Sequence, residues 1–388
     1  MTRYLAVIVL LVPVLVGLSL AASNDDELRQ NKLVDLGTAL FFDVNLSRDR
    51  TQSCATCHDP ARAFVDWRDN GVAAAASLGG DLISLGDRNA PTLSYAAHTP
   101  DFHINAEGVY EGGFFLDGRE ANLEAQAGAP LLNPIEMAFP DQEAVIARLL
   151  ENPVYENAFK ELFGDEIFNS IEQAYKALSE SIAAFEKTDF FSPFDSRYDR
   201  YLRGEYELSR EEELGMTLFF SEQFTNCNQC HQLNLFPGAD SETFSNYTYH
   251  NIGVPVNERL RAANGLGSGY RDGGLLNNSQ VNGPEQAGKF KVPTLRNVAI
   301  TGPYMHNGVF QDLKTVMLFY NKFNARSSAA QINPETGEIW GEPETAENVS
   351  LTELESAPAL DEKRIDALIA FMRLLTDRRY EALLEFEN

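Results

Sequence analysis

The sequence predicts an all-α chain built as two tandem helical domains. Three observations lead there. A short segment recurs: Leu36-Gly37-Thr38-Ala39-Leu40-Phe41-Phe42 is matched by Leu214-Gly215-Met216-Thr217-Leu218-Phe219-Phe220. Its apolar residues at i, i+4 and i+5 suit one face of a helix. Each copy runs through a polar loop into a Cys-x-x-Cys-His motif, Cys54-Ala55-Thr56-Cys57-His58 and Cys227-Asn228-Gln229-Cys230-His231. Helical periodicity covers much of the remainder.

Taken in chain order, the N-terminus reads as an export signal. Arg3 supplies a charge, Leu5 to Leu20 is almost wholly apolar, and small residues Ala21, Ala22 and Ser23 precede an acidic stretch. We expect a signal peptide over residues 1–23, a periplasmic protein, and no transmembrane domain after cleavage. The apolar run is near the lower limit for a span, so an uncleaved anchor is the alternative. An N-terminal domain over residues 24–190 and a C-terminal domain over 191–388 follow, with the boundary where a helix ends before Ser192-Pro193. Helices are expected over Gln142 to Leu150, Ser170 to Glu186, Ser209 to Ser221, Leu313 to Phe323 and Asp361 to Thr376. Arg326 to Pro358 is polar, acidic and aperiodic, and reads as a surface insertion. Gly265-x-Gly267-x-Gly269 has no strand signal before it and reads as a loop rather than a dinucleotide site.

The two Cys-x-x-Cys-His motifs use all four cysteines of the chain. This is the pattern of covalent haem c attachment: the thiols add across the two vinyl groups and the His supplies an axial nitrogen to iron. The competing reading, a pair of redox or zinc CxxC sites, does not explain the repeated His. Two haems on cytochrome c-like domains are therefore expected. The formal charge of −26 argues against nucleic acid and anionic membranes, and favours a basic partner protein or simple solubility.

Further blocks resemble the bacterial di-haem cytochrome c peroxidase and MauG superfamily. They are Arg88-Asn89-Ala90-Pro91-Thr92, Asp117-Gly118-Arg119, Gln126 to Met137, Pro293 to Asn297, and Gly302-Pro303-Tyr304-Met305-His306-Asn307-Gly308. The resemblance implies a peroxide-reacting haem in the N-terminal half, ligated by His58, and an electron-transferring haem in the C-terminal half, ligated by His231. Classical members carry a distal His shortly before the first of these blocks. Residues 59–87 contain none, and Asp81 stands at the corresponding place. The resemblance thus implies an open site, as in MauG. It assigns the peroxide acid–base to Glu136 and the orienting amide to Gln126, with Pro130 between them. Glu136 by itself could equally be a helix N-terminal acid after Pro134.

For the second haem the family places a sixth ligand fourteen residues beyond His306, which is Tyr320. A Met is classical there and a Tyr is MauG-like. Met317 lies one helical turn earlier and is the alternative ligand. The family's calcium ion maps to Asn89, Thr301 and Pro303, and oxygen donors of that kind suit calcium. Its inter-haem Trp is replaced by Leu116. His98, His103 and His250 read as structural or propionate-contacting rather than as iron ligands, and His306 as structural. The resulting expectation is an exported di-haem oxidoreductase that uses hydrogen peroxide, MauG-like in oxidising a partner protein. The alternatives are a classical cytochrome c peroxidase with a small redox-protein donor, and a di-haem electron carrier without catalysis.

Overall fold

The computed structural model describes residues 12–234, 238–239 and 241–385, with side chains from residue 25 onward. The expected signal peptide falls outside these residues in its first part and is described only as backbone in the rest. Among the described residues no helix is long and apolar enough to cross a membrane.

The fold is all-α. Its helices are α1 (Val12–Phe41), α2 (Cys54–Cys57), α3 (Leu123–Leu132), α4 (Gln142–Leu149), α5 (Pro153–Phe163) and α6 (Ile171–Glu186) in the first half. The second half adds α7 (Arg197–Leu202), α8 (Arg210–Phe219), α9 (Glu258–Ala263), α10 (Leu313–Asn321), α11 (Leu351–Leu354) and α12 (Glu362–Leu374). Two short antiparallel ribbons complete it: β1 (His103–Ile104) with β2 (Tyr110–Glu111), and β3 (Tyr249–His250) with β4 (Phe290–Lys291). The helix starts follow capping chemistry. Asn122, Asp141, Ser170, Ser209 and Asp361 each accept a backbone N–H from the first turn they precede.

The recurring segment explains the packing. In α1, a Cβ on Gly37 would stand 1.8 Å from the Ser181 carbonyl of α6; in α8, a Cβ on Gly215 would stand 1.9 Å from the Ala367 carbonyl of α12. Both glycines let two helices cross backbone to backbone. Leu40 and Phe41 are then wholly buried in the first core, as Leu218 and Phe219 are in the second. Each terminal Phe meets a partner on the crossing helix, Phe41 with Phe185 at 5.4 Å and Phe219 with Phe371 at 5.0 Å between ring centres. Burial of such aromatic and aliphatic faces is the main favourable contribution to each half.

One buried ion-pair cluster ties the halves together, and a second, within the C-terminal half, packs against Tyr95 of the first. Arg88 donates to both Asp272 oxygens at 2.6 Å and to Asp117 at 2.7 Å. Arg296 forks onto Asp199 within an aromatic surround of Tyr95, Phe194, Tyr198 and Phe244. The stretch 326–358 lies mostly at the surface, as expected, and is anchored by the buried Trp340, Glu344 and Leu354. Trp340 packs against Phe310 and Phe319, and Glu344 is buried against Arg261 and His306. The Glu344 carboxylate neutralises a fully buried guanidinium.

Candidate active site at the two ends of one cavity

The geometry begins with the Cys-x-x-Cys-His turns. In each, the His N–H donates to the carbonyl of the first Cys, His58 to Cys54 and His231 to Cys227, both at 2.9 Å. That closes one turn and sets both thiols and the imidazole against a common cavity. The imidazoles are oriented alike: His58 Nδ1 lies 3.0 Å from the Phe64 carbonyl and His231 Nδ1 lies 3.1 Å from the Phe244 carbonyl. A carbonyl only accepts, so Nδ1 carries the proton and Nε2 is left with its lone pair. Burial holds both imidazoles neutral, lowering His58 and pushing His231 down to about 4. The carbonyl loops are themselves pinned. Thr92 Oγ1 donates to Ala63 and Thr294 Oγ1 to Thr243, each the residue just before the orienting Phe.

These residues fit haem c. All four cysteines are free thiols, buried at the cavity wall. Among the described residues no group of three or more His, Cys, Asp or Glu is placed to hold a metal ion, so zinc sites are not formed.

Helix α3 brings Gln126 to the cavity that His58 lines. Its Oε1 is buried without a partner. Pro130 lies inside the helix, and having no N–H it leaves the Gln126 carbonyl without its helical donor. Glu136 follows on the turn after α3 and lines the same cavity. Desolvation raises its pKa, opposed by Arg119 and by the 2.7 Å bond from Asn133 Nδ2. The loop before Arg88 is clamped onto this turn: Gly80 N–H and Gln52 Nε2 both donate to the Glu136 carbonyl, at 2.6 and 2.7 Å. Asp81 is turned into its own loop, where Ser84 and two backbone N–H groups hold it down to about 2.

At the other end α10 carries Tyr320 and Met317, and both line the cavity near His231. Tyr320 interacts with Cys230 and Cys227, and burial raises its phenol. Its hydroxyl has no protein partner among the described residues. Asn89, Thr301 and Pro303 also line the cavity. Asn89 Nδ2 donates to the Ala74 carbonyl at 3.2 Å, which leaves its Oδ1 available. Its N–H donates to the His306 carbonyl at 2.8 Å and so joins its loop to the segment that carries Thr301 and Pro303.

Among the histidines, His306 stacks on Phe290 at 3.8 Å and pairs with Glu344; His250 bonds Thr248; His98 packs against Phe194; His103 is exposed. Two cavity residues went unnoticed in the sequence. Glu186 is buried, raised to about 8 by desolvation, and has an unpartnered oxygen. A lone Glu on a helix looks like any solvated acid, so nothing marked it. Lys291 is the other.

Comparison with known proteins agrees with this geometry. Residues 31–207 match the family described as di-haem cytochrome c peroxidase. The chain is 54% identical to the methylamine utilization protein MauG of Paracoccus denitrificans, over 94% of each chain. It is 34% identical to the cytochrome c peroxidase Ccp of Escherichia coli, over 71% of this chain and 50% of that one. Among solved structures it resembles the dihaem peroxidase BthA of Burkholderia thailandensis, with a TM-score of 0.78 and 30% identity, covering 90% of this chain and 87% of the other. The chain therefore belongs to the di-haem cytochrome c peroxidase family, as a MauG-like enzyme with two haems.

Proposed function

We propose that this enzyme is exported to the periplasm and uses hydrogen peroxide to oxidise a partner protein, with peroxide reacting at the His58 end. The observation that carries the reading is the contrast across the cavity. The protonatable Glu136 carboxyl interacts with Cys57 and shares the cavity with the Gln126 amide, whereas the Tyr320 phenol interacts with Cys227 and Cys230. Haem, when bound, supplies the site where peroxide is cleaved and the oxidising equivalents are stored. Gln126 orients peroxide through its free amide. Glu136 takes the proton from the near oxygen and returns it to the far oxygen, so that water leaves. Its raised pKa suits a carboxyl that must serve as both base and acid. Tyr320 is the sixth ligand of the second haem in this reading, and Asn89, Thr301 and Pro303 hold calcium between the two. Residues 24–190 form the peroxide domain and 191–388 the electron-transfer domain. The likeness to a methylamine utilization protein supports a protein of that metabolism as the partner.

A classical peroxidase with a small redox-protein donor is the second reading, and Leu116 favours it. That residue lines the cavity between the ends and cannot relay an electron as Trp would. Adding peroxide to the as-isolated diferric protein separates the readings. We expect a high-spin EPR signal that peroxide abolishes without prior reduction. Two low-spin haems, inert until one electron is added, would overturn the open-site reading.

A further inference from the structure

We infer that Lys291 is the anchor for a haem propionate at the wall of this cavity. Lys291 sits on β4, opposite Tyr249 of β3, and its N–H donates to the Leu116 carbonyl at 2.9 Å. Its side chain turns inward and lines the cavity. There Nζ donates to the Gly113 carbonyl and lies 5.3 Å from the centre of the Phe114 ring.

No carboxylate of the described residues lies within ion-pair distance of it. The contrast with the buried arginines is direct. Arg88 has Asp117 and Asp272, Arg261 has Glu344, and Arg296 has Asp199. Asp117 is the nearest candidate for Lys291, but its oxygens are taken by Arg88 and Arg119. Lys322, the other buried lysine, lies over the rings of Phe319, Phe323 and Trp340 and does not line the cavity.

An ammonium withdrawn from water without a counter-charge is costly, and proteins pair or neutralise it. Burial pushes Lys291 down to about 7, with Asp117 opposing. The molecule that fills this cavity brings the missing anion. Haem c is tied by its vinyl edge to the cysteines, so its two propionate carboxylates remain free. At the equivalent place in the first half stands Asn89, three residues before Thr92, as Lys291 stands three before Thr294. The cations that the first half brings to the cavity, Arg88 and Arg119, already have carboxylate partners in Asp117 and Asp272.

The inference requires covalent haem and is independent of the partner and of the peroxide reading. Its test is the pair K291M and K291R in the haem-loaded protein, read by spectroelectrochemistry and by the propionate bending bands in resonance Raman. K291M should lower the reduction potential of one haem, because a positive charge is lost beside it, and shift that haem's propionate band. K291R keeps the charge and should leave the potential near the wild-type value while moving the band, since a planar fork replaces a rotating ammonium. A role confined to holding the Gly113 carbonyl would lower the melting temperature of K291M and move neither reading; that result overturns the inference. Should K291M fail to retain haem, the Raman band of K291R decides alone, and an unshifted band overturns it.

Discussion

The two halves are one scaffold used twice, and the places where they part company are the places where their chemistry differs. Each half has a glycine-crossed helix pair, a His held by a Phe carbonyl, and a Thr pinning the loop behind it. The likeness continues further along. A tight loop closes between Phe114 and Glu120 in the first half and between Tyr304 and Phe310 in the second. Each loop leads to a capped helix, α3 after Asn122 and α10 after Asp312. Counted from those caps, Pro130 and Tyr320 occupy the same eighth place, and Gln126 and Val316 the same fourth. One helix thus presents an amide and a ring without a donor or a ligand atom; the other presents a phenol. In the proposed reading, a few positions on equivalent helices would decide which iron is open and which is capped, with the supporting frame unchanged.

The most severe way to break the comparison is to remove one haem at a time. Cys54→Ala with Cys57→Ala, and Cys227→Ala with Cys230→Ala, should each leave a single covalent haem by mass spectrometry of the denatured chain. The first pair should abolish the peroxide reaction. If the second pair abolishes peroxide binding while the first preserves it, the two roles are reversed.

Exchanging single functions is milder. Glu136→Gln keeps shape but removes the proton carrier, and should slow O–O cleavage by about 10² to 10⁴, the range for a lost general acid–base. The low-spin signal of the His231 haem should stay as it was. Tyr320→Phe should do the opposite, sparing cleavage and changing that signal. A low-spin spectrum that survives Tyr320→Phe and is lost in Met317→Leu would make Met317 the ligand and end the MauG-like assignment of this haem.

Much of this was legible in the residues. The repeated motifs announced two haems, and the apolar period located α4, α6, α8, α10 and α12 to within a few residues, while the short α7, α9 and α11 gave no such period. Helix α3 escaped because Leu123–Leu132 is short, rich in small residues and contains Pro130, so it has neither a clean period nor an ordinary interior. The pairing of Arg88 with Asp272 spans 184 residues, and such contacts leave no local pattern. The segment 326–358 is mostly exposed, as its charge suggested, but its buried anchors were missed. Ile339-Trp340 was the available signal, since a Trp in an acidic stretch needs somewhere to pack, and it is Trp340 that does so. Lys291 had no signal at all; its meaning depends on which carboxylates fail to reach it.

The ion pairs joining the halves offer a third test. Arg88→Met strands Asp117 and Asp272 in the interior, and should cost about 3–5 kcal/mol of stability at neutral pH by chemical denaturation. Arg88 holds Asp272 down to about 2, from an ordinary 3.8. A depressed carboxyl contributes stability above its unfolded pKa and loses it as pH falls towards the folded value. The wild type should therefore lose this contribution between about pH 4 and pH 2. The variant, which never had it, should show a flatter acid limb there. An equally steep limb in both proteins would place the acid sensitivity elsewhere.

The smallest effect probes the equivalence most closely. Gly37→Ala and Gly215→Ala each add one methyl where two helices cross, and each methyl meets a backbone carbonyl, which cannot rotate away. The helices must separate. Overpacking of this kind typically costs about 1–3 kcal/mol, offset by up to about 1 kcal/mol because Ala is the better helix former. Because the approach distances are 1.8 and 1.9 Å, the two variants should lose nearly equal stability. Their spectroscopic consequences should nonetheless be local. Gly37→Ala should disturb the haem at His58, whose helix pair is α1 with α6, and Gly215→Ala the haem at His231, whose pair is α8 with α12. Equal thermal losses with separate haem signatures would mean that the frame is duplicated and the halves respond independently. A Gly37→Ala variant that perturbs the His231 haem as strongly as its own would show instead that strain crosses the Arg88 and Arg296 clusters, and the halves would have to be treated as one mechanical unit.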